Sequence, residues 1–147
     1  LNQLMANDFL DEDINFPHED YSGALDIFNR AIKEGNTDRL ILSENELVFV
    51  IDSYMDSDEL DNALTACELA CSRFPYDSDI LFRYIDLLII LKMGNEALYL
   101  LKENSATLLL FPEMNLLYAG AYLCIGKFKE ARDAVPEFET KDFLNLI

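Results

Sequence analysis

Residues that could carry out catalysis are few in this sequence. General acid–base chemistry most often uses histidine, and the only histidine, His18, lies in an acidic segment that we expect to be a loop. The sequence has no glycine-rich phosphate loop, no Gly-x-Ser-x-Gly elbow and no His-Glu-x-x-His motif. We therefore expect a protein that is not an enzyme and that needs no cofactor.

One group of residues resembles the ligands of a calcium-binding loop but departs from the pattern of that loop. Asp11, Asp13 and Asn15 match the opening of a calcium-binding EF loop, but Phe16 stands at the required glycine and Ser22 at the closing glutamate. The acidic run over 8–20 is thus either a solvated segment or an arm that recruits a basic partner.

The three cysteines indicate a reducing compartment. Cys67, Cys71 and Cys124 cannot all pair within one chain, and nothing resembles a dense disulfide framework. Cys67 and Cys71 are four residues apart on a predicted helix, but neither a histidine nor a third cysteine lies at ligand spacing. We interpret them as small core residues and expect a cytoplasmic protein.

Charge restricts the classes of partner. Twenty-eight acidic and 11 basic residues give a net charge of −17, which repels nucleic acid and anionic membrane surfaces. The longest apolar run, 84–93, is too short to span a bilayer. A basic protein or peptide fits this charge, although excess acid also serves simply to keep an apolar chain soluble.

The 147 residues fit one domain, and they contain a repeat of 34 residues. Ala63, Ala97 and Ala131 mark the repeat. Apolar residues recur in the same register before and after each alanine, with only Asn115 out of character: Leu47, Leu81 and Asn115; Val50, Tyr84 and Tyr118; Tyr54, Leu88 and Tyr122; Cys67, Leu101 and Val135.

Capping and breaking residues divide each repeat into two helices. Ser43 and Glu46 have the spacing of a capping box, and Phe74-Pro75 stops the second helix of the first unit. Pro112 is expected at the first position of a helix. These signals predict repeats over 44–77, 78–111 and 112–145.

The third unit carries a family resemblance, through its stretch Leu-Tyr-Ala-Gly-Ala-Tyr-Leu-Cys-Ile-Gly-Lys-Phe-Lys-Glu-Ala over 117–131. This stretch resembles the tetratricopeptide repeat around its interhelical turn, and Ala63, Ala70 and Pro75 match the family's pattern in the first unit. The resemblance implies an all-α, right-handed superhelical solenoid of antiparallel helix pairs, with about 7–9 helices. It also implies a protein-interaction scaffold.

The repeats are degenerate. Gly94 lies three residues before Ala97 whereas Gly126 lies five before Ala131, so we expect a differently built turn in the second unit. Pro136 should break the last second helix. Residues 1–38 are expected to form a degenerate N-terminal unit, and 140–147 a capping helix or the start of a further repeat. The chain begins without Met, as a fragment or a processed product would.

In that family, the first helix of each repeat lines a concave groove, which is where the resemblance places a peptide-binding site. Apolar residues would form a ladder flanked by carboxylates. The predicted groove residues are Val48, Asp52, Met55, Asp79, Phe82, Asp86, Ile89, Glu113, Leu116 and Leu123.

Two functions fit such a groove. The first is capture of a basic, amphipathic peptide or helix by a scaffold or adaptor. The second is a structural role, in which the same face joins copies of the chain in a homodimer or joins further repeats of a longer protein. Some family members clamp acidic chaperone tails with Lys and Arg, but only Arg83 supplies such a charge here.

Overall fold

The computed structural model describes residues 20–135, and the secondary structure of this part is entirely helical. A 3-10 helix over Thr37–Arg39 follows the first of eight α-helices. The α-helices are α1 (Ser22–Glu34), α2 (Glu44–Asp56), α3 (Leu60–Arg73), α4 (Ser78–Ile90), α5 (Gly94–Glu103), α6 (Ser105–Leu108), α7 (Met114–Cys124) and α8 (Phe128–Ala134). The prediction of an all-α protein is confirmed for these residues.

Neighbouring helices pack in pairs along the chain. Helix α3 contacts α2 and α4, while α7 contacts α4, α5 and α8. Helix α4 therefore lies between α2 and α7, in the middle of the described structure.

Three-residue turns join α2 to α3, α4 to α5 and α7 to α8, and they share one geometry. Their central residues, Asp58, Lys92 and Gly126, have left-handed φ angles of 59°, 61° and 75° and are spaced at 34 residues. The last residue of each turn donates its backbone N–H to the carbonyl five residues earlier: Glu59 to Tyr54 at 2.8 Å, Met93 to Leu88 at 2.8 Å and Lys127 to Tyr122 at 2.9 Å.

The expectation of a differently built second turn was therefore wrong. Lys92 takes the left-handed position that Gly126 has in the third unit, and Gly94 begins α5 instead. A Cβ atom on Gly94 would lie 2.7 Å from the carbonyl oxygen of Ala121 and 2.7 Å from Cβ of Cys124. Glycine is needed here because α5 approaches α7 closely, not because the turn requires it.

Capping interactions define several helix ends, and the capping box at Ser43 is the one that the sequence analysis predicts. Ser43 and Glu46 form the capping box of α2, the Asp77 side chain accepts from the N–H of Ile80 at the start of α4, and Gly35 ends α1 with a left-handed φ. Pro112 is an exception. It lies in a turn before α7, because the carbonyl of Phe111 accepts from the N–H of Met114.

The repeating alanines lie at the centre of the packing. Ala63, Ala97 and Ala131 are completely buried, and so are the apolar residues four positions after each of them. In the column sixteen residues before each alanine, Leu47 and Leu81 are buried but Asn115 is exposed. The 34-residue pattern therefore corresponds to equivalent core positions in successive helix pairs.

Helix α1 extends the core beyond the three clear repeats. Phe28 packs edge-on against Tyr54 with ring centroids 5.9 Å apart, and the Tyr54 hydroxyl donates to Asn29 Oδ1 at 2.6 Å. The Arg73 side chain donates to the backbone carbonyls of Leu40 and Asp38. These bonds hold the connection between α1 and α2 against the end of α3.

The second helices become shorter along the chain, with 14 residues in α3, 10 in α5 and 7 in α8. Helix α5 ends where the Asn104 side chain donates to the carbonyl of Leu100 at 2.9 Å. Helix α8 ends two residues before Pro136, as expected. The first part of the predicted N-terminal unit, the EF-like residues, His18 and the predicted capping helix lie outside the described residues.

No helix within residues 20–135 has the length and apolar character needed to cross a membrane.

Candidate functional site

Five of the ten predicted groove residues line one pocket between α4 and α7. The pocket has a volume of about 320 Å³. Helix α4 contributes Phe82, Asp86 and Ile89. Leu116 comes from α7, and Glu113 is the residue immediately before that helix. Residues 82, 86 and 89 are spaced to share one face of α4.

The other five predicted residues do not line this pocket. Val48 and Met55 are half-buried against the core cluster of Tyr54, while Leu123 packs against the cluster that contains Ala131. Asp79 is exposed. Half of the predicted groove residues therefore meet in this pocket, and the other half lie outside it.

Asp52 differs from the expected free carboxylate because α4 supplies its partner. The guanidinium of Arg83 donates from Nε to Oδ1 at 2.7 Å and from Nη2 to Oδ2 at 3.1 Å. Nη1 of Arg83 also donates to the carbonyl of Asp79 at 3.1 Å. This fork joins α2 to α4, and the hydrogen bond to Asp52 raises the pKa of Arg83.

Asp86 occupies the equivalent position one repeat later, yet residues 20–135 supply no such partner. Its side chain makes no hydrogen bond or ion pair with any residue in 20–135. It is half-buried, and this loss of solvation raises the pKa of its carboxyl. A carboxylate in this setting favours any ligand that brings a positive charge to it.

The repeat register explains why the two carboxylates differ. The residue 34 positions after Asp52 is Asp86, and the residue 34 positions after Arg83 is Leu117. Leu117 is 5% exposed and lines the pocket beside Asp86. Helix α7 therefore presents a short apolar side chain where α4 presents a guanidinium.

Leu117 and Phe111 were missed in the sequence, whereas Gly120 stands in the same repeat column as Asp52 and Asp86 but was not predicted to bind. Leu117 and Gly120 line the pocket, and the ring of Phe111 stacks on Phe82 with centroids 5.6 Å apart. A Cβ on Gly120 would lie 3.2 Å from Cγ2 of Ile89, so the glycine lets α7 lie close to α4. The repeat register contained a signal for Leu117 and Gly120, since they align with Arg83 and Asp86.

The cysteines have the character of core residues. Cys67 is completely buried, and burial raises the pKa of its thiol; burial also raises the pKa of the half-buried Cys71 to about 12. Both thiols are therefore protonated and unreactive near neutral pH. Within residues 20–135, no three His, Cys, Asp or Glu side chains cluster as metal ligands would.

Comparisons with protein-family models, with curated proteins and with solved structures each found no match.

Proposed function

We propose that this protein is a protein-interaction scaffold whose pocket between α4 and α7 binds a basic, amphipathic peptide or helix. Asp86 is the observation that carries the proposal. An aspartate that is half-buried among Phe82, Ile89 and Leu116 loses solvation and gains no partner in residues 20–135. A ligand that brings a positive charge to Asp86 would offset the free energy lost through this desolvation.

The shape and composition of the pocket define the ligand. Its apolar residues suit aliphatic or aromatic side chains, whereas Asp86 and Glu113 suit a cation beside them. The overall charge of −17 would also speed the approach of a basic partner, with an effect that salt weakens.

We further propose that the helix pairs form a right-handed solenoid of tetratricopeptide type. The equal spacing of the left-handed turn residues Asp58, Lys92 and Gly126 supports this arrangement, as do the buried alanine columns. In such a solenoid the first helices of the pairs, α2, α4 and α7, share the ligand-binding face.

Peptide selection tests the proposal. The wild-type domain and Asp86→Lys would each be used to select from a displayed library of random peptides. We expect the wild type to enrich basic peptides with apolar neighbours and Asp86→Lys to lose them. Asp26→Lys makes the same charge change on the exposed face of α1 and should select as the wild type does. The same peptides selected by Asp86→Lys would contradict the proposed pocket.

Self-association is the second candidate function. The connection from α6 to α7 exposes 70% of Leu109 and 90% of Leu110, an unusual exposure for adjacent leucines. A surface of this kind can join copies of the chain. Light scattering over a range of concentrations would detect a dimer, and Leu110→Asp should dissociate it; a monomer at every concentration would exclude this function.

A further inference from the structure

The ion pair between Arg83 and Asp52 indicates which side chain of a ligand would pair with Asp86. We propose, resting on the proposed peptide-binding function, that the partner inserts an arginine beside Asp86, where its guanidinium takes the role that Arg83 has at Asp52. The partner would thus complete in one repeat an interaction that the chain completes for itself in the previous repeat.

The first step of the inference is the equivalence of the two carboxylates. Asp52 and Asp86 are 34 residues apart, each five residues before the first residue of a turn with the same left-handed geometry. Helix α4 contacts α2, and α7 in turn contacts α4. The two side chains therefore extend from matching positions on neighbouring helices.

The second step is the space beside Asp86. At Asp52, the long side chain of Arg83 crosses from α4 and places its guanidinium on the carboxylate. At Asp86, Leu117 comes from the corresponding position of α7, and leucine ends well short of that point. The pocket of about 320 Å³ lies here, with Leu117 in its wall and Asp86 at its side.

The third step is the choice between arginine and lysine. Arginine offers two parallel N–H donors to a carboxylate, as Arg83 does with Nε and Nη2, whereas lysine offers a single ammonium group. A guanidinium is also less strongly hydrated and packs well against aromatic rings such as the stacked pair of Phe82 and Phe111. A half-buried, partly aromatic pocket therefore favours arginine.

The test uses the peptide that the wild-type domain enriches most strongly from the displayed library. Variants of this peptide would carry lysine or citrulline in place of each arginine in turn, and their affinities would be measured by calorimetry. We expect one position at which lysine weakens binding by about tenfold and citrulline by more. Asp86→Asn should weaken binding of the parent peptide as much as citrulline at that position does.

A double-mutant comparison assigns that arginine to Asp86. With Asp86→Asn, the arginine and citrulline peptides should bind with nearly equal affinity, because the carboxylate that separates them is gone. Glu96→Gln, which removes a charge from an exposed residue of α5 outside the pocket, should leave the full difference in place.

The outcomes separate this inference from the function on which it rests. If the selected peptides lose binding with Asp86→Lys but tolerate lysine at every arginine position, the pocket binds basic peptides and the arginine inference is wrong. If citrulline and arginine still differ fully in Asp86→Asn, the arginine contacts another residue and the inference is again wrong. If the wild type enriches no peptide, both proposals fail.

Discussion

The interface between the first and second helix pairs differs from the interface between the second and third. In the first, the fork of Arg83 on Asp52 joins α2 to α4. In the second, two glycines bring the helices together, since Gly94 lets α5 approach α7 and Gly120 lets α4 approach α7. One interface uses an ion pair and the other uses close helix contact.

The difference distinguishes two positions of one repeat register, and we propose that only the second binds a ligand. Both interfaces place an aspartate at the same register, but only the second places leucine opposite it. The ion pair occupies the first position, and at the second a pocket lies beside a carboxylate that has no partner within residues 20–135. Four substitutions would break or sharpen this comparison.

Gly94→Ala should have the largest effect because the added methyl group would meet backbone and side-chain atoms of α7 at 2.7 Å. We expect a loss of about 2–3 kcal/mol in the free energy of unfolding, measured with urea. Gly23→Ala in α1 is the matched control, since its Cβ would have no neighbour within 4 Å. Equal stabilities for these two variants would contradict the close contact.

Leu117→Arg should convert the second interface into a copy of the first. Its guanidinium would pair with Asp86 and fill the pocket, so we expect the affinity for the selected peptide to fall at least about tenfold, or about 1.4 kcal/mol. Leu117→Met keeps the volume and the apolar character and should bind as the wild type does. Unchanged affinity in Leu117→Arg, with the fold verified by circular dichroism, would argue against the pocket.

Arg83→Leu is the reverse change, and it should leave Asp52 unpaired. The pair is partly exposed, with 28% and 46% of the two side chains accessible, so we expect a loss of about 1 kcal/mol. A double-mutant cycle with Asp52→Asn isolates the interaction from other effects of the substitutions. Arg30→Leu, which removes an exposed arginine of α1, should change stability by less than about 0.5 kcal/mol.

Asp86→Asn should produce the smallest change, a gain in stability near pH 7 of about 0.5 kcal/mol. The folded pKa of Asp86 is raised above the ordinary value of 3.8, so the folded state keeps a proton that the unfolded chain releases. Stability therefore falls as pH rises through the window from 3.8 to the folded pKa. The advantage of asparagine should be complete above that window and should disappear below it.

Asp26→Asn provides the control, because it removes an equal charge from an exposed site. Thermal unfolding of both variants across the acid range would measure the difference. A gain for Asp26→Asn as large as that for Asp86→Asn would mean that net charge, and not burial of Asp86, causes the effect.

Much of the helical layout follows from the sequence. The columns of Ala63, Ala97 and Ala131 predict core positions because a small residue must recur wherever equivalent helices meet. Ser43 with Glu46 and Gly35 predict helix ends because their capping interactions involve only neighbouring residues. Local signals of this kind need no knowledge of the tertiary structure.

The errors arose where one residue type can serve two purposes. The position of Gly94 predicts an altered turn, but Lys92 adopts the left-handed conformation and Gly94 instead permits close contact with α7. Pro112 was placed at a helix start, although a turn precedes the helix there. Such choices depend on the neighbouring helix, which spacing within one repeat does not specify.

Five residues that line the pocket could be named from the sequence, but the difference between the two carboxylates could not. Asp52 and Asp86 look identical within their own repeats, and only the residue contributed by the next repeat separates them. Residues 52 and 83 form an ion pair whereas residues 86 and 117 do not, and recognising this requires knowing how α4 packs on α2. That packing is a tertiary feature, and it decides which of the two carboxylates pairs with an arginine within residues 20–135.

The most direct test is a pH titration of the Asp86 carboxyl by carbon NMR, with and without the selected arginine peptide. We predict a raised pKa in the free protein, because burial disfavours the charged form, and a clear fall in that pKa when the peptide binds. A pKa that is the same in the free and bound states would show that the partner's charge does not reach Asp86, and it would contradict the proposed site.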